Sequence, residues 1–318
     1  MLGQRVITAV ALLAVLLPAI FLAPTWVWGA VSLAFLSLAA AEWVSLLPAA
    51  PRARAPGMAA GAAGSVAAPA APTAPAVSPL PVTGSTAWLP HRGWPLAAWL
   101  ALAGALVLVW RQAHPWPAGV LATLMAALTG FWLWAGPVHL RRHDAHGAGQ
   151  VLIGLLLFGC WLALFELRQI GAVALLSGMA VVWVADIAAY FSGRAFGRRK
   201  LAPAISPGKT WEGVYGALVA VVVLALALAW LGSPAWLRQS QPLPAVLVQG
   251  IGALGAALVL AGIVALSIVG DLHESLLKRQ SGVKDSSRLL PGHGGVLDRI
   301  DALIPTMPVV LLIYELLR

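Results

Sequence analysis

Cysteine is almost missing from this chain, and charge is scarce. Cys160 is the one cysteine, so no disulfide forms within the chain and a cysteine metal site is excluded. It lies in an apolar run and reads as a small apolar side chain. Charged residues are 10% of the 318, against ~25% in an ordinary soluble domain. The 20 basic and 11 acidic side chains could not cover a soluble surface. With 60% hydrophobic residues, a disordered chain is excluded too. The net charge is +9. Its basic residues sit in short loops between apolar runs, which argues for a bilayer partner and against nucleic acid.

What the chain does have is long apolar runs, and a helix needs about 20 such residues to cross a bilayer. Nine runs qualify, at about 6–23, 26–47, 95–110, 116–136, 150–167, 170–191, 213–232, 246–269 and 300–317. The expected fold is therefore all-α, a polytopic membrane protein with about nine spans. The first run is followed by no clear small-x-small cleavage site and reads as a retained helix, not a signal peptide. With nine spans, sixteen of the 20 Lys and Arg fall on the side of the N-terminus. The positive-inside rule then puts that side in the cytoplasm. Residues 48–94 are rich in Ala, Pro and Gly and read as a flexible linker. The expected organisation is 1–47 (two spans), 48–94 (linker), 95–182 (middle spans) and 183–318 (catalytic region).

Seven of the 11 acids sit in or beside two loops on the cytoplasmic side, which also carry ten of the 20 basic residues. The first runs from Asp186 through Tyr190, Arg194, Arg198, Arg199 and Lys200 to Ser206-Pro207-Gly208-Lys209-Thr210-Trp211-Glu212. The second starts at Asp271-Leu272-His273-Glu274-Ser275 and continues through Lys278, Arg279, Lys284 and Asp285. It ends with Pro291-Gly292-His293-Gly294-Gly295, Asp298, Arg299 and Asp301. If 271–279 is helical, Asp271, Glu274, Ser275 and Lys278 share one face. Glycines at 292, 294 and 295 let backbone N–H groups approach a ligand closely. Oxygen ligands beside Lys and Arg suit Mg²⁺ with a polyphosphate. The chemistry these loops point to is metal-assisted phosphoryl or nucleotidyl transfer at a membrane surface. His273 reads as structural, while His293, between glycines, can face a ligand or the backbone.

The run Ser275, Lys278-Arg279, Lys284-Asp285, Pro291, His293-Gly294-Gly295, Asp298-Arg299 and Asp301 resembles the signature of the phosphatidate cytidylyltransferases, the CDP-diacylglycerol synthases. Upstream, Asp186, Ala189-Tyr190-Phe191, Gly193-Arg194, Phe196-Gly197, Ser206-Pro207 and Lys209 to Gly213 are similar to that family's second region. The resemblance covers about residues 183–301. It departs at Ile187-Ala188, where the family usually has Thr-Gly, at Gly208, usually lysine, and at His273, usually phenylalanine.

The resemblance implies that CTP and phosphatidate give CDP-diacylglycerol and pyrophosphate with Mg²⁺, a second cation remaining open. It implies metal ligands Asp271, Asp298, Asp285 and, after these, Asp186. Lys278, Arg279, Lys284 and Arg299 would neutralise phosphate, with Asp285 beside them. Substrate would be bound by Ser275, His293, Gly294, Gly295, Lys209 and Arg194, and Asp301 would bind metal or orient Arg299. The location implied is a bacterial inner membrane. Small-residue spacing such as Gly252 to Gly255 permits close helix packing and leaves a homodimer open. Competing readings are an ion-coupled transporter and a divergent or non-catalytic relative. Acids gathered at one boundary, not at the midplane, argue against transport.

Overall fold

A computed structural model describes residues 2–47, 91–145, 149–230 and 241–318. Its helices are α1 (Leu2–Phe21), α2 (Thr25–Leu46), α3 (Trp94–Ala113), α4 (Val120–Arg142), α5 (Gln150–Ile170), α6 (Ala172–Phe196), α7 (Trp211–Trp230), α8 (Leu243–Gln280), α9 (Leu297–Ile300) and α10 (Leu303–Leu317). Among the described residues, eight helices are long and apolar enough to cross a membrane, the last of these counted over Leu297–Leu317. The first of the nine expected spans is present as α1, a helix of 20 residues. Most of the expected linker lies outside the described residues. Its last four close as a 3-10 turn, His91–Gly93, and the start of α3 at Trp94.

Burial sorts the helices into inner and outer ones. Helices α2, α5 and α10 are largely buried, whereas α3 and α7 expose most of their length. Leu102, Leu106 and Val109 form an exposed row on α3, as do Val219 and Val223 on α7. Such apolar rows, spaced three and four residues apart, are what a helix shows to lipid. Inside, the Trp161 indole donates to the Gly29 carbonyl at 2.9 Å, and Trp28 donates to Leu164 at 3.0 Å. These bonds lock α2 to α5 and satisfy polar groups that lipid could not.

Two elements bring the functional loops together. Helix α8 runs 38 residues, broken only at Gly252 (φ 74°), so it carries the 271–279 segment well past the expected end of its span. The expected loop after span six is smaller than its sequence implied. Helix α6 continues to Phe196, and the rest folds as an antiparallel hairpin of β1 (Lys200–Ala202) and β2 (Ser206–Thr210). Lys200 lies opposite Thr210 and Ala202 opposite Ser206. The hairpin is pinned to α7 at both ends. The Trp211 N–H donates to the Arg199 carbonyl at 2.9 Å, and Glu212 accepts the Arg198 N–H at 3.1 Å and the Arg199 N–H at 3.2 Å. Thr210 Oγ1 accepts the Gly213 N–H at 3.2 Å, satisfying a donor at the α7 N-terminus.

Candidate active site

A cavity of about 590 Å³ lies between α6, α7, α8 and the hairpin. Its lining includes Asp186 and Arg194 of α6, Lys209 of β2 and Asp271 of α8. Its walls are small or apolar and include Ala185, Ala189, Val214, Ala217 and Ile268. Lys209 Nζ stands 2.6 Å from Asp271 Oδ2. Ser275, one turn further along α8, donates to Asp271 Oδ1 at 3.3 Å. Arg194 donates to the Tyr190 hydroxyl at 3.1 Å. The hairpin is steadied from α8 as well, since Arg279 donates to the Ile205 carbonyl at 3.4 Å.

A second cluster forms where the glycine loop folds back on α8. Lys278 Nζ is 2.5 Å from Glu274 Oε2 and 2.6 Å from Asp298 Oδ1. The Asp298 side chain is only 8% exposed. Its other oxygen, Oδ2, accepts the Gly295 N–H at 2.8 Å, the Ser286 N–H at 3.0 Å and the Ser286 hydroxyl at 2.9 Å. The loop needs its glycines here. Gly294 has φ 81°, a left-handed backbone that favours glycine, and a Cβ on it would stand 2.8 Å from Asp298 Oδ2. A Cβ on Gly295 would fall 2.0 Å from Ser286 Oγ.

The structure thus divides the expected site residues. Asp186, Arg194, Lys209, Asp271 and Ser275 gather at the cavity. Lys278, Asp298, Gly294 and Gly295 make the second cluster, with Asp285 beside Gly294. Arg299 turns to the carbonyl of His293, to which its Nε donates at 3.0 Å. The backbone of His293 is held in turn by the Leu290 carbonyl, at 2.8 Å. Lys284 is exposed, and Asp301 accepts the Ala302 N–H at 2.8 Å. Among the described residues, no three His, Cys, Asp or Glu side chains come together in a way that could hold a metal ion. Asp186 and Asp271 remain as two carboxylates on one cavity. That donor set fits a Mg²⁺ ion whose other oxygens come from substrate phosphate and water.

Sequence comparison decides the family. The Cytidylyltransferase family model matches residues 3–317. The chain belongs to the cytidylyltransferase family. A phosphatidate cytidylyltransferase of Pseudomonas aeruginosa is 50% identical over 157 residues, 49% of this chain and 53% of that protein. One of Haemophilus influenzae is 49% identical over 138 residues, 43% of this chain and 44% of its own length. The chain therefore matches about half the length of these two relatives. A Brucella suis phosphatidate cytidylyltransferase is 38% identical over 229 residues, 71% of this chain and 73% of its own.

Glu42 was not among the expected site residues. It lies on α2, fully buried, and takes hydrogen bonds from the glycine loop. The signal was present in the sequence, since a lone acid in an apolar span is expensive and calls for a partner.

Proposed function

We propose that this chain is a phosphatidate cytidylyltransferase, joining CTP and phosphatidate to give CDP-diacylglycerol and pyrophosphate. The observation that carries this reading is the cavity itself. It is lined by two carboxylates and two cations together with apolar side chains, and it lies between membrane-crossing helices. An amphiphile with a phosphate head fits such a space, and the named activity of the relatives supplies the second substrate.

In the reaction, a phosphate oxygen of phosphatidate attacks the α-phosphorus of CTP. The bond between the α-phosphorus and its bridging oxygen to the β-phosphate breaks, and pyrophosphate leaves. The attacking group needs no protein base, because a phosphomonoester with a second pKa of about 6 is mostly dianionic at neutral pH. What the protein must supply is positioning and charge neutralisation. Lys209 and Arg194 do this at the cavity. Lys209 is already held at 2.6 Å by Asp271, so an arriving phosphate has a placed cation to meet. Asp186 and Asp271 would hold Mg²⁺, which neutralises triphosphate charge when bound. Lys278, through Asp298, keeps the glycine loop on α8. The basic excess of this face supports a cytoplasmic position for it, at a bacterial inner membrane.

The test is cytidylyl transfer by the purified protein in detergent, with labelled CTP and phosphatidate, in Mg²⁺ or in EDTA. Labelled CDP-diacylglycerol in Mg²⁺ and none in EDTA is the expected result. Folded protein that makes no product in Mg²⁺ would overturn the reading, and Gly208, where the family usually has lysine, would then be the first position to restore.

A further inference from the structure

We infer that Glu42 is a positioning residue for the glycine loop. A single carboxylate on the second helix of the chain holds both limbs of that loop in register. Three donors reach it, and a fourth group, the Ser286 hydroxyl, shares its one proton between Glu42 and Asp298. Ser287 Oγ donates to Oε1 at 2.6 Å and Ser286 Oγ to Oε2 at 3.2 Å, from the start of the loop. Backbone N–H groups of Val296 at 3.0 Å and Leu297 at 2.6 Å donate from its end, where α9 begins. All four partners are more than 240 residues away in sequence. Glu42 is fully buried, so water cannot stand in for these donors.

The arrangement reaches the site through shared atoms. Ser286 Oγ stands within hydrogen-bond range of both Glu42 Oε2 and Asp298 Oδ2. Asp298 in turn holds Lys278. A second observation agrees with this order. Gly295 cannot carry a side chain because the Glu42 oxygens would lie 2.7 and 2.8 Å from its Cβ. Helix α1 adds a further hold, as the Thr8 hydroxyl donates to the Pro291 carbonyl at 2.9 Å. The N-terminal helices thus serve the site as its mount, although none of the family signature lies on them.

This inference rests on the reading proposed above, and its test separates the two. In Glu42→Gln the shape is kept, but the amide nitrogen sets a donor against donors. Two quantities are measured on purified protein: steady-state cytidylyl transfer and deuterium exchange of the backbone amides. Exchange should quicken in 286–297 and stay unchanged in α5 and α10. The value of kcat should fall on the order of 100-fold, since displacement of a positioning group by about 1 Å does so. KM for CTP should change little, and Glu42→Asp should recover part of the rate. Wild-type kcat with wild-type exchange in 286–297 would overturn the inference. If Glu42→Gln loosens every helix, Ser287→Ala decides; it deletes the 2.6 Å bond to Glu42 and the 3.1 Å bond from the Leu289 N–H to the same hydroxyl, so exchange is read at Val296 and Leu297, which Ser287 does not touch. A fall in kcat of about tenfold with local exchange supports the inference, and no change in either overturns it. A wild-type protein inactive toward phosphatidate would count against the proposed reaction, while the exchange arm would still report on Glu42.

Discussion

Asp271 and Asp298 have the same side chain and opposite surroundings, so the Asn variant of each should fail differently. Asp298 is 8% exposed, and its two oxygens accept two backbone N–H groups and the Lys278 ammonium, with the Ser286 hydroxyl shared between Asp298 and Glu42. An Asn amide has one acceptor oxygen. If that oxygen serves Gly295 and Ser286, the NH₂ faces Lys278; if it serves Lys278, the NH₂ faces two backbone N–H groups. Breaking a buried ion pair from one side costs about 3–5 kcal/mol. Lys278 keeps Glu274 at 2.5 Å, so the lower end applies, about 3 kcal/mol. Asp271 is 32% exposed and its partner Lys209 25% exposed, so Asp271→Asn should cost less than about 1 kcal/mol. Both variants should lose activity, on the order of 100-fold or more if the carboxylates act on developing phosphate charge. Denaturant unfolding of the purified variants in mild detergent, beside the cytidylyl-transfer rate, reads both quantities. Equal stability losses for the two, or a stable and active Asp298→Asn, would refute the division between a cavity carboxylate and a loop anchor.

Three further outcomes are expected. Gly295→Ala places a Cβ 2.0 Å from Ser286 Oγ and should cost about 1–3 kcal/mol by overpacking, with activity lost even in protein that stays folded. Lys209→Met removes a cavity cation and should raise KM for CTP more than it lowers kcat, which initial-rate kinetics at varied CTP will resolve. Glu166 accepts Arg111 Nε at 3.0 Å and Trp116 Nε1 at 2.8 Å near the start of α6, far from the hairpin. Glu166→Gln should therefore lower stability by about 1–3 kcal/mol and leave kcat unchanged, as thermal unfolding and the transfer assay together will show.

Local order was readable from the sequence and remote contact was not. Asp271, Glu274, Ser275 and Lys278 recur at helical spacing, and α8 does carry them on one continuous helix. The hairpin was hidden because Ser206-Pro207-Gly208 breaks the apolar alternation by which a strand is recognised. Periodicity also could not separate Asp298 from Asp271. Their difference comes from a loop that turns back at Gly294 so that Ser286 and Gly295 reach the same oxygen. Glu42 is the clearest instance. Hydropathy marks it only as an exception within a span, and its donors lie more than 240 residues on. A chain that keeps its reactive loops in the C-terminal half still needs a rigid frame for them. A carboxylate buried on a neighbouring helix is beyond the reach of competing water, so it can hold the backbone of a glycine-rich loop. The acids of this chain are scarce, and their placement is divided: Asp186 and Asp271 line the cavity, and others, such as Glu42 and Asp298, hold the backbone of the glycine loop.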